Sequence, residues 1–102
     1  MVMLKNPVHP GEVLKTEFLD EMGLSAGKVA KAIKVPRTRI ERIINRQTGV
    51  TADTASRLAV FFGTSTEYWM NLQRNYELGL AQRDEQLLHD LGQIERAVIQ
   101  SL

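Results

Sequence analysis

Apolar positions recur along this chain at intervals of three and four, the period of helices that bury one face. Leu14, Phe18 and Met22 stand at i, i+4 and i+8, and Leu19 widens the stripe. Pro10 is a favoured first helical residue, Glu12 suits the positive end of the helix dipole, and Gly23 suits a left-handed stop. Ser25 fits as N-cap of a second helix burying Val29, Ala30 and Ile33. That helix ends before Pro36, because the residue preceding a proline is pushed out of helical geometry. A third helix opens at Pro36 or Arg37 and runs to about Arg46, with Ile40, Ile43 and Ile44 on one side. Only Lys34, Val35 and Pro36 separate the two, the tight connection of a helix-turn-helix.

Thr51 caps a fourth helix with core face Ala55, Leu58, Ala59 and Phe62, stopped by Gly63. The run Thr64-Ser65-Thr66-Glu67 has capping-box form and opens a fifth helix bearing Tyr68, Trp69, Leu72 and Tyr76. Leu87, Leu91, Ile94, Val98 and Leu102 continue as a helical seam, weakened by Gly92 within it. The seam either folds back on its own core or serves a dimer interface, and an exposed apolar stripe favours the interface. No alternating run between hairpin turns points to strands. The expected fold is all-α: a five-helix domain over residues 1–80 and a helical C-terminal tail over 81–102.

A chain of 102 residues has room for one domain. It contains no Cys, which excludes disulfides, thiolate metal sites and cysteine nucleophiles. His9 and His89 are far apart; the first reads as a helix-start residue and the second as solvated. No nucleophile–base pair or metal set stands at helical spacing, so no enzyme, metal or cofactor is expected. The longest apolar run, Leu58 to Phe62, is too short to span a membrane, and the opening residues lack a signal-peptide h-region. A cytoplasmic location is expected.

Charge changes the picture once it is divided along the chain. Residues 24–46 carry seven of the thirteen basic side chains against Glu41 alone, while every other segment is net acidic. Such focusing makes an anion-binding surface, the expected footprint of a nucleic-acid partner. With about 100° per residue, the third helix turns Asn45, Thr38 and Arg42 away from its isoleucines, with Arg46 and Arg39 flanking them. Arg37 opens the helix and reaches forward from its end. All these residues donate hydrogen bonds and none is acidic. Arginine can bond guanine bidentately, Asn suits adenine, and Thr offers a hydroxyl and a methyl. Ser25 and Lys28 stand where the open N–H groups of the second helix can help hold a phosphate. The aromatic residues Phe61, Phe62, Tyr68, Trp69 and Tyr76 are remote from the basic region and read as core and interface packing.

Three stretches carry a family resemblance: HPGEVLKTEFLDEMGLS at 9–25, KVPRTRIERIINRQTGVTADTASRLAVFFGTS at 34–65, and EYWMNLQRNYEL at 67–78. Together they resemble the HigA/VapI family, the helix-turn-helix antitoxins of HigBA-type toxin–antitoxin modules, whose domain is similar to phage repressors. The resemblance spans roughly residues 7–80 and leaves 1–6 and 81–102 uncovered. It implies a homodimeric operator-binding autorepressor that also neutralises an mRNA-cleaving HigB-type toxin. It places base reading on Arg37, Thr38, Arg39 and Arg42 and a phosphate contact on Asn45; Arg46, on the flank, joins Ser25, Lys28 and Asn45 as a phosphate residue. Two positions depart from the wider repressor pattern: Ala26 where Gln is frequent, and Lys34 where the turn usually has Gly. Lys34 is therefore expected to take positive φ at some cost. Two other readings remain open: a stand-alone regulator without a toxin, and an interaction module for an acidic partner.

Overall fold

The computed structural model describes residues 6–98, and within them it forms six helices and no strand. The first, α1, is one continuous rod: Pro10–Val13, a π-helical stretch Leu14–Leu19, and Asp20–Met22. It is followed by α2 (Ala26–Ile33), α3 (Arg37–Ile44), α4 (Ala52–Phe62), α5 (Thr66–Ala81) and α6 (Glu85–Gly92). Ser25 and Thr51 cap α2 and α4 as the sequence requires, and Gly23 and Gly63 close α1 and α4 in left-handed geometry. The expected turn Lys34-Val35-Pro36 lies between α2 and α3. The third helix ends at Ile44, short of the expected Arg46.

The core is built from one face of each of the first five helices. Leu14, Val29, Ile40, Ile43, Leu58 and Trp69 are its largest apolar members, all sealed from solvent. Trp69 lies under Phe18, with ring centroids 5.0 Å apart, and its indole N–H donates to Thr64 Oγ1 at 2.8 Å. That bond occupies Thr64. The cap of α5 is Ser65, whose Oγ accepts from Tyr68 N–H at 3.0 Å, so the expected box with Thr64 as cap is not formed.

The stripe expected on α1 is also redrawn. Within the π stretch, backbone bonds run from i to i+5, as from Asp20 N–H to the Lys15 carbonyl. Residues five apart then share a face. Leu14 and Leu19 are both buried, Phe18 packs at the edge of the core, and Met22 is turned out to 57% exposure.

The N-terminus of α1 fixes the position of α3. His9 caps it, its Nδ1 accepting from Gly11 N–H at 2.9 Å. Pro10 is buried as the first helical residue, and a Cβ on Gly11 would overlap the Ile43 carbonyl at the end of α3. Only glycine permits so close an approach.

The tail departs from the expected seam. Helix α6 stops at Gly92, and Ile94 to Val98 are not helical; Leu102 lies outside the described residues. No residue of α6 is buried, and Leu88, Leu91, Ile94 and Val98 are exposed. The tail thus does not fold back on the core. The radius of gyration is 17.7 Å, against about 13 Å for a compact domain of about 100 residues. Among the described residues no helix is long and apolar enough to cross a membrane.

Candidate nucleic-acid interface

The basic residues of the middle segment reach the surface through α2, the turn and α3. Ser25 uses one oxygen lone pair to accept Lys28 N–H at 3.1 Å, which leaves its hydroxyl proton available to an external acceptor. Lys28 is exposed one turn into α2. Lys34 adopts φ 63° and ψ 48°, the left-handed conformation anticipated for it. This geometry is held from the far side: Arg57 Nη1 donates to the Ile33 carbonyl at 2.9 Å and to that of Lys34 at 3.4 Å. Pro36 precedes α3 and supplies no side-chain cap, so the first N–H groups of α3 remain open to an outside acceptor.

All eight residues singled out from sequence are exposed, and all but Ser25 fall into two electrostatic groups. Among the described residues the side chains of Thr38, Arg42, Lys28 and Asn45 have neither ion-pair nor hydrogen-bond partners. Arg37, Arg39 and Arg46 are each held by a carboxylate. Arg37 Nε lies 3.4 Å from Glu41 Oε2, one turn along α3, and its stem runs over Gly27 of α2. Arg46 Nη2 lies 3.6 Å from Glu12 Oε1 on α1, with Arg46 itself at φ 62°. Arg39 Nη1 lies 2.8 Å from Asp53 Oδ2 on α4, and the same oxygen accepts from Arg57 Nε at 3.0 Å. The Arg57 hydrogen bond holds the Asp53 carboxyl below the usual carboxylate range against the opposing effect of burial, helped by the charge of Arg57 and, less, by Arg39.

Sequence reasoning missed Glu12, Asp53 and Arg57 as parts of this face. The i,i+4 spacing of Asp53 and Arg57 is visible in the chain. Their link to Arg39 spans fourteen residues and depends on how α3 crosses α4. Among the described residues no group of acidic or histidine side chains could hold a metal ion. The arrangement is an exposed helix, its outward side rich in hydrogen-bond donors, positioned by a capped neighbour and a three-residue turn. Its dimensions and donors suit the DNA major groove.

The helix-turn-helix family (HTH_3) matches residues 16–69 of the chain. Virulence-associated protein I of Dichelobacter nodosus is 46% identical over 82 residues, covering 80% of this chain and 76% of that protein. Antitoxin HigA-1 of Vibrio cholerae serotype O1 is 38% identical over 74 residues, covering 72% of this chain and 70% of the relative. The structure of Pseudomonas aeruginosa antitoxin HigA with the higBA promoter superposes with a TM-score of 0.83 at 39% identity, covering 91% of this chain and 100% of the other.

Proposed function

The chain belongs to the HigA/VapI family of helix-turn-helix antitoxins, and on that footing we propose that it represses its own operon and neutralises an mRNA-cleaving toxin of the HigB type. It acts by binding, not by catalysis, on double-stranded operator DNA in the cytoplasm, as a homodimer. Arg37, Thr38, Arg39 and Arg42 read base edges, and Ser25, Lys28, Asn45 and Arg46 hold phosphates. One observation carries the DNA assignment: Thr38 and Arg42 stand unpartnered on the outward side of an exposed α3 whose N-terminus is also open. Two adjacent donors of this kind match the hydrogen-bond acceptors of a major groove. The operator would be palindromic and the reader a dimer, because a two-fold partner doubles the few base contacts one helix can make.

The toxin-binding part is supported by the family and by the division of the surface. DNA occupies α2 and α3, and the acidic segments on either side of them remain available to steer a basic partner. The test uses growth and DNA binding together. Wild-type chain is expected to co-purify with the product of the neighbouring toxin gene and to restore growth on co-expression. Arg42→Ala is expected to lose repression yet still restore growth. Loss of both by a folded Arg42→Ala variant would refute separate surfaces, and no rescue by the wild-type chain would leave a regulator without a toxin.

A further inference from the structure

Asp53 occupies an unusual position beside the reading helix. Its Oδ2 accepts from two guanidinium groups, Arg39 at 2.8 Å and Arg57 at 3.0 Å. Arg57 has further holds on the Ile33 and Lys34 carbonyls. Arg39 has Asp53 as its only side-chain partner among the described residues. The cluster lines a surface hollow of about 400 Å³ floored by Thr48, Gly49 and Thr51, next to the end of α3. A carboxylate here repels any phosphate that approaches Arg39.

We infer that Asp53 is a specificity-determining residue: it withholds Arg39 from indiscriminate phosphate contact, so that tight binding depends on the base contacts of α3. The inference rests on the DNA-binding reading above. A protein on unrelated DNA sits loosely, and each uncommitted cation finds whichever phosphate is near. On its own site the base contacts fix the register, and Arg39 has one position only. Neutralising Asp53 therefore helps unrelated DNA more than the proper site. With the carboxylate gone, Arg39 keeps no side-chain partner among the described residues and can turn to a phosphate.

The experiment compares the duplex that the wild-type chain enriches most from a random-sequence library with a scrambled duplex, at several salt concentrations. Asp53→Asn is expected to raise affinity for the scrambled duplex roughly three- to tenfold at low salt and to steepen its salt dependence by about 0.9, the signature of one added phosphate contact. The ratio of selected to scrambled affinity falls. Asp53→Glu keeps the charge within reach of both arginines and retains the wild-type slope. Arg39→Ala added to Asp53→Asn removes the extra slope, which assigns it to Arg39. Scrambled affinity that stays level or falls in Asp53→Asn overturns the inference, as does an extra slope that survives in the double variant. Binding to both duplexes that falls in step with thermal stability also overturns it, because Asp53 then serves the fold alone. A wild-type chain that enriches no sequence would remove the DNA-binding reading itself.

Discussion

Single side chains on this surface divide by what already holds them. Arg42 and Thr38 have no protein partner among the described residues, and a bound base edge would satisfy donors that otherwise face water. Arg42→Ala should weaken binding to the selected duplex by about 1–3 kcal/mol and relax the preference at one base pair. Lys28→Ala should lower affinity for all sequences alike and reduce the salt slope by about 1. Titrations on selected and scrambled DNA check both, and an Arg42 variant with unchanged affinity would move base reading elsewhere. His9 carries a different consequence. Burial, and secondly the charge of Arg46, hold its imidazole below the ordinary value of 6.5, against a hydrogen bond to the Thr48 backbone. Below 6.5 the unfolded chain takes up the proton more readily than the folded one, so stability is complete above that value and declines as pH falls towards the lower folded pKa. His9→Asn keeps a capping oxygen that does not titrate. Urea unfolding between about pH 7.5 and about pH 5.5 should show the decline in wild type and a flatter response in the variant.

At the scale of elements, two backbone irregularities set the geometry of the helix-turn-helix. The π stretch of α1 places Leu14 and Leu19 in the core and lets Met22 go. The left-handed Lys34 turns the chain from α2 into α3 within three residues. A side chain in that conformation costs about 1–2 kcal/mol, and the Arg57 hydrogen bonds to the neighbouring carbonyls offset part of it. Lys34→Gly should therefore raise stability by about 1 kcal/mol, read as a higher melting temperature, with the fold unchanged. A lower melting temperature would mean that the lysine side chain contributes more than its backbone strain costs. The turn itself was legible in the sequence because Pro36 excludes helix before it and the apolar spacing restarts after it. The π stretch was not, since residues three, four and five apart are all apolar along α1 and only packing selects among them.

The whole molecule is longer than a compact domain of its size because α6 stands away from the core with Leu88 and Leu91 exposed. We propose that this apolar face meets a second copy of the chain, as its exposed stripe suggests. Deleting residues 84–102 should then shift the monomer–dimer equilibrium towards monomer, measured by light scattering over a concentration series. A dimer of unchanged stability would assign the interface to another surface. In the proposed dimer the two α3 helices stand about 34–36 Å apart, one turn of DNA, and the spacing of half-sites in the selected duplex reports that distance.

Features that depend only on neighbours in the chain were legible before any packing was known. Caps at Ser25 and Thr51, stops at Gly23 and Gly63, the turn before Pro36 and the outward donors of α3 each follow from residues within a few positions. Helical hydrogen bonds close over four residues, so local chemistry suffices to place them. Tertiary structure committed Arg39 and Arg46, whereas Arg37 and Glu41 stand one helical turn apart in the chain. Glu12 meets Arg46, and Asp53 meets Arg39, because packing brings together groups far apart in the chain, whereas Arg57 reaches Asp53 along one helix. It also decided that Ser65 caps α5, since the buried Trp69 indole needs an acceptor and takes Thr64. The same holds for the tail, where the periodic spacing of Leu87, Leu91 and Ile94 marks an apolar face but packing decides whether the chain's own core can receive it.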